Sequence, residues 1–212
     1  MSRFAVEANA AAKKLSTTTK AYTDAALIYY QQGDSDSSVA KKAEITTKAA
    51  NVAFTATTKE MSEMLTAVWN SYKVGEDELQ RYVDIMAALG ATTATSTEEI
   101  ATAMQKVAAT ASTVGVSMEQ MSSMIATVSS VTRQSAETIG TSFKTLLARI
   151  GDLKLGGTDE DGIGLGQVSS QLEAVGIKIL DTSGNLRDMG DIIEEMGAKW
   201  GKMGKAQQTA LA

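Results

Sequence analysis

The sequence predicts a mainly α-helical protein, an antiparallel array of about seven or eight short helices with one small β-hairpin near residues 177–188. Three observations carry this. Apolar residues recur at spacings of 3 and 4 over most of residues 17–150, the period of a helix with one buried face. Start and stop signals for helices recur about every 20 residues, with starts near 35, 57, 76, 97, 117 and 135. Proline is absent, where average usage of about 5% would give roughly ten, so no helix is broken or kinked that way.

Taken in order, Gly33 closes the first predicted helix and Ser35 caps the next. Met61, Leu65, Val68 and Tyr72 then form one stripe, and Leu79, Val83 and Met86 another. Gly90 is read as the stop of that helix, and Ser96 with Glu99 as a capping box opening the next. Ile100, Met104, Val107, Ala111 and Val114 continue to a stop at Gly115, after which Ser117 and Gln120 make a second box. Met118, Met121, Ile125 and Val128 form the next core stripe, with Ala126 and Ser130 placed off it on the outward face. Gln134 and Ser135 begin a helix whose stripe is Ile139, Phe143, Leu146 and Ile150, with Arg149 in the last turn and Gly151 as its cap.

Beyond Gly151 the pattern changes, which divides the chain into a helical part, 1–150, and a second part, 151–212, of glycine-rich loop, hairpin and C-terminal helices. Residues 151–167 are glycine-rich, acidic and aperiodic, so they read as a loop. A short helix follows from Val168 to Val175. Ile177 and Ile179 alternate with Lys178 ahead of the turn at 181–185, which gives the hairpin. Asp188 or Asp191 opens a final helix that runs through Trp200.

Composition removes several kinds of chemistry. The chain has neither histidine nor cysteine, so catalytic triads, Cys-His dyads, the usual zinc sites and disulfides are excluded for these residues. A net charge of −5 argues against a nucleic-acid surface. Asp159, Glu160 and Asp161 suggest calcium, but in a loop beginning at Asp159 the fifth and twelfth positions fall on Ile163 and Ser170, which supply no carboxylate. No GK[ST] follows the glycines, so they form no phosphate cradle. Glu98 and Glu99 stand at a helix start and read as cap and dipole residues rather than an acid pair for sugar hydrolysis. The sequence therefore assigns no catalytic, cofactor-binding or metal residue, and no enzymatic activity.

Residues 97–150 hold only four acidic side chains (Glu98, Glu99, Glu119, Glu137) and four basic ones (Lys106, Arg133, Lys144, Arg149). Their outward faces are Ser, Thr, Gln and Ala, where a freely solvated helix is dense in Lys and Glu. Such faces permit close approach, which predicts contact with other copies or with a wall. One unbroken helix of this length would reach roughly 320 Å at about 1.5 Å per residue. The regular punctuation forbids that and predicts a folded domain instead of a rod.

The run TRQSAETIGTSFKTLLARIGDLKLG at 132–156 resembles the core region of phage tail tape measure proteins. TTTKAYTDAALIYYQQG (17–33), EITTKAANVA (44–53), LTAVWNSY (65–72), YVDIMAALGATTATSTEEIATAM (82–104) and GDIIEEMGAKW (190–200) resemble the same family in its order. The resemblance covers roughly residues 17–212. It implies a virion structural protein that lies in the tail tube lumen, takes part in tail assembly, governs tail length and leaves ahead of the DNA, after assembly in the host cytoplasm. The partners it implies are other copies of the chain, tail tube and tail tip proteins, and tail assembly chaperones, with no small-molecule substrate and no specific nucleic-acid binding. Two further readings follow from the residues and the family. Helices every 20 residues pair into units near 40, as in a helical-repeat adaptor or scaffold. A peptidoglycan hydrolase domain occurs in some tape measure proteins, but here it lacks histidine and a carboxylate pair.

Overall fold

The computed structural model describes residues 3–53, 56–154, 170, 172–183 and 187–206. Nine helices of twelve or more residues stand among them: α1 (Arg3–Lys14), α2 (Thr19–Gln31), α3 (Asp36–Val52), α4 (Thr58–Tyr72), α5 (Glu76–Thr92), α6 (Thr97–Val114), α7 (Met118–Thr132), α8 (Ala136–Lys154) and α9 (Met189–Trp200). The sequence predicted seven or eight. The helix it missed is α1, an alanine-rich segment without a glycine stop, which ends instead where Ser16 turns left-handed at φ 54°.

Caps explain most of the boundaries. Ser35, Ser96 and Ser117 each accept a hydrogen bond from the backbone N–H three residues on, as predicted, and Ser96–Glu99 and Ser117–Gln120 are full capping boxes. Thr57 and Glu60 form a third box. Replacing Ser96 or Thr57 with alanine is expected to lower stability by about 1 kcal/mol each, read from urea unfolding. The box also gives a pH signature. Glu60 and Glu99 are held below the usual carboxylate range chiefly by the backbone N–H groups of Thr57 and Ser96. A depressed folded pKa means this stabilisation is complete above about pH 4.3, the unfolded value, and is lost as the pH falls through the folded one. Acid titration of Glu60→Gln and Glu99→Gln variants is expected to show a shallower loss than the parent.

Two predicted stops move. Helix α5 continues through Gly90 to Thr92. A Cβ on Gly90 would lie 2.9 Å from Thr97 Oγ1 and 3.0 Å from Thr97 N, so this glycine admits the start of α6 and does not end α5. Helix α8 likewise runs through Gly151 to Lys154. Lys73 and Arg133, by contrast, end α4 and α7 in the left-handed conformation at φ 51° and 56°. Arg133 is held there while its Nη1 donates to Ala94 O at 2.8 Å.

The helices alternate in direction and stack as two rows. Asn51 at the end of α3 donates to Leu15 O just before α2, and Tyr30 near the end of α2 donates to Asp36 at the start of α3, so this pair is antiparallel. Thr95 ahead of α6 donates to Ser129 near the end of α7, giving the same relation. Helices two apart run side by side in one direction: Tyr72 OH at the end of α4 donates to Val116 O beyond α6, and Lys41 of α3 pairs with Glu76 of α5 at 3.0 Å. One row is α2, α4, α6 and α8; the other is α3, α5 and α7. Between them lies one apolar cluster that extends from Ala8 to Ile192. Helix α6 is its centre, touching α4, α5, α7 and α8 and burying Ile100, Met104, Val107 and Val114 together with Ala101, Ala103, Ala108 and Ala111.

The first row has a register that residue identity conceals. Its N-caps are Thr18, Thr57, Ser96 and Ser135, 39 residues apart at each step. The fourth residue after each cap (Tyr22, Met61, Ile100, Ile139) is buried every time. Eight after it come Ala26, Leu65 and Met104, all buried, and Phe143, half-buried. The units thus share burial and capping, not sequence, and each is a helix pair that hides its face only by stacking on the next.

No strand forms among the described residues of 177–188, which corrects the predicted hairpin. Ile177 and Ile179 are buried as the alternation required, but among the described residues Arg187 N to Ile179 O (2.9 Å) is the one backbone hydrogen bond across the turn, and Leu180 forms an isolated bridge instead of a strand. Other carbonyls there go to side chains. Lys199 Nζ reaches Gly176 O and Arg187 Nη1 reaches Lys178 O, each at 2.6 Å, so a second strand has little left to bind. Of the short helix predicted from Val168, residues 170 and 172–174 are helical, while the loop at 155–167 lies outside the described residues. Asp188 caps α9. That helix returns to the first part of the chain, where a Cβ on Gly190 would stand 2.5 Å from Gln120 Cδ.

Candidate interaction surface

Helix α8 is the last member of the first row among the described residues, and its buried face differs from the stripe that the sequence suggested. Ile139 and Leu147 are buried, Phe143 is half-buried and Leu146 is 45% exposed; the side chain of Ile150 lies outside the described residues. The face turns toward Leu147 because α8 meets α6 through Gly140. A Cβ there would lie 2.5 Å from Ala103 O and 3.0 Å from Ala103 Cα. At that separation backbone packs on backbone, and Leu146 is carried outward.

An open groove of about 390 Å³ lies beside Leu146, between the end of α7 and the first turns of α8. Val128, Ile139, Phe143 and Leu146 form its apolar floor, with Thr132, Gln134, Thr138 and Ser142 at the rim. Val131, 77% exposed, stands nearby on the last turn of α7. These residues belong to the charge-poor stretch 97–150 that the sequence singled out as a contact face. Within that stretch one placement is corrected. Ala126 is buried at 1% exposure, since α7 packs against both α5 and α6 and hides more than one stripe. Ser130 is half-buried and its Oγ donates to Thr127 O at 2.8 Å.

The weak chemical candidates resolve into structure or fall outside it. Glu99 accepts from Ser96 N at 2.7 Å and Thr95 Oγ1 at 3.0 Å, the work of a cap. Asp159, Glu160 and Asp161 lie outside the described residues. Among the described residues no group of three or more His, Cys, Asp or Glu side chains is placed to hold a metal, and no helix is long and apolar enough to cross a membrane. Burial pushes the phenols of Tyr29, Tyr72 and Tyr82 well above their ordinary range, so they stay neutral; Tyr29 and Tyr72 hydrogen-bond through their hydroxyls, while Tyr82 serves as a packing group. The Tyr29 hydroxyl bonds Thr46 Oγ1 and its ring stacks 5.7 Å from Trp69, tying α2 to α3 and α4.

An extended helical array whose distinctive surface is an apolar groove at one end is the form of a protein that works by contact. The chain belongs to the phage-related minor tail protein family, whose sequence profile it matches over residues 9–212, and it has a structural role in a phage tail. No solved structure matches it.

Proposed function

We propose that this chain is the core region of a tape measure protein, a non-enzymatic component of the tail tube lumen that takes part in tail assembly and length determination and is released ahead of the DNA. The observation that carries this reading is the family match across nearly the whole chain, joined to the resemblance of six ordered segments to tape measure sequence. The fold supports a narrower form of it. A folded double row of helices suits a domain at the end of a ruler, where other copies, tube and tip proteins and assembly chaperones are met, better than the ruler itself.

Removing residues 57–95, one 39-residue unit of the array, tests that distinction in assembled phage. A rod segment of that size would shorten tails by roughly 60 Å at 1.5 Å per residue. The expected result is loss of tails, with no proportionally shortened ones. For the lumen placement, protease is expected to spare the chain in intact tails, and the chain is expected to be gone from tails that have released DNA. A chain cleaved in intact tails, or kept after release, would sink this reading. A second reading, a helical-repeat scaffold, is favoured by the recurring cap and burial register; it predicts binding to tail proteins without any effect on tail length.

A further inference from the structure

The capping boxes differ in one functional group. Those of α4 and α6 are closed by carboxylates, Glu60 and Glu99, while that of α7 is closed by the carboxamide of Gln120. Gln120 Oε1 accepts from Ser117 N at 3.1 Å, and because a backbone N–H only donates, the amide oxygen has to stand on that side. The nitrogen is thereby turned away from α7, where Nε2 donates to Asp188 Oδ1 and Asp191 Oδ1, each at 3.5 Å. The amide also fills the space of a missing side chain, since a Cβ on Gly190 would stand 2.6 Å from Nε2. A glutamate at this position would cap α7 equally well, but it would set a third carboxylate against the other two.

Asp188, Gly190 and Asp191 belong to the cap and first turn of α9, and the rest of that helix holds its own approach. Lys199 Nζ and Arg187 Nη1 reach Gly176 O and Lys178 O at 2.6 Å, and both cations pair with Glu195, at 2.9 and 3.0 Å. These bonds inside the segment from Leu172 to Ala206 are shorter than the two that join it to Gln120. Among the described residues α9 lies along no helix of the array, whereas α1 to α8 are each laid against at least one neighbour. The segment is about 35 residues long and has no cysteine. Below roughly 40 residues a chain without disulfides or metal usually buries too little surface to fold alone. Its buried side chains, Leu172, Ile177, Ile179, Met189 and Ile192, join the apolar cluster of the array. We infer that this segment is an order–disorder latch. It folds only while seated on the α6–α7 turn, where Gln120 holds it, and it opens as a unit while the array of α1 to α8 stays folded.

The latch does not depend on the tape measure role and is read without assembled phage. Native-state hydrogen exchange of the whole chain in low urea, resolved by peptide, reports the opening. In the parent, amides in the middle of α9 are expected to exchange faster than those of α6 and with a smaller dependence on urea, because less surface is exposed. Gln120→Glu keeps the capping box of α7. It is expected to raise exchange in α9 roughly 2- to 30-fold, the range for two exposed like-charge contacts, and to leave α6 unchanged. Adding Asp188→Asn and Asp191→Asn to that variant is expected to return exchange in α9 toward the parent rate. The new amides donate to the carboxylate, and asparagine caps α9 as well as aspartate does. Damage to the α7 cap could not be repaired from α9 in this way. Exchange of α9 and α6 at one common rate in the parent overturns the inference. So does exchange in α9 that is indifferent to Gln120→Glu, or an increase that spreads equally through α6.

Discussion

Replacing Gly140 with alanine is expected to destabilise the protein by about 1–3 kcal/mol, and with valine by more. At most helical glycines alanine stabilises, by up to about 1 kcal/mol, because glycine is the more costly residue to order. Gly140 reverses the sign. Its missing Cβ is the space that Ala103 O occupies, 2.5 Å from where the new atom would stand, and Lys106 Cβ is 3.0 Å away. A backbone carbonyl inside a helix cannot swing aside as a side-chain tip can, so α8 must lift off α6 and open the seam around Ile139 and Leu147. For a chain of this size the change corresponds to a fall in Tm of roughly 2–12 °C. Gly197→Ala in α9 is the matched control, since nothing lies within 4 Å of its Cβ, and it is expected to raise stability slightly. A Gly140→Ala protein as stable as the parent would show that the two helices are not in backbone contact.

Gly140 also marks where the sequence stops being legible. Helix type and most starts could be read because they are local: Ser96–Glu99 and Ser117–Gln120 announce themselves within four residues, and both boxes are formed. Stops were less secure. A glycine that ends a helix and one that admits a neighbour look alike in one dimension: Gly33 and Gly115 turn left-handed while Gly90 does not. Lys73 and Arg133 do turn, with no residue type to advertise it. The hairpin failed for a related reason. The alternation of Ile177 and Ile179 correctly forecast burial, but a strand also needs free carbonyls, and Lys199 and Arg187 arrive from α9 and its approach to take them.

The groove was legible as composition and not as geometry. The scarcity of charge over residues 97–150 marks the quarter of the chain that holds it, yet it cannot distinguish a small residue that faces solvent from one on which two helices close. The 39-residue register would have helped. Counting from Ser96 and Ser135 aligns Val107, fully buried, with Leu146, 45% exposed, and Ala108 with Leu147, both buried. Because the aligned units share almost no identities, the signal lies in cap positions alone.

Ala126→Glu is expected to be the more damaging of two neighbouring changes, costing about 3 kcal/mol or more, while Thr127→Glu stays within about 0.5 kcal/mol. A single stripe of Met118, Met121 and Ile125 would leave Ala126 in water. Helix α7 instead packs against both α5 and α6, and Ala126, at 1% exposure, is buried along with Ser122 and Ser129. Thr127 is exposed one residue away, its hydroxyl donating to Ser123 O at 2.8 Å. The pair therefore separates burial from helix propensity and from added charge. Urea midpoints for the two variants give the comparison, and pH gives a second reading. A carboxyl forced into the Ala126 site has its folded pKa raised by desolvation. Its destabilisation is then complete above that raised value and relieved as the pH falls toward about 4.3, the unfolded value, where the acid enters neutral. Equal midpoints for the two variants, or a loss for Ala126→Glu that does not ease on acidification, would place Ala126 on the surface and remove the second buried face of α7.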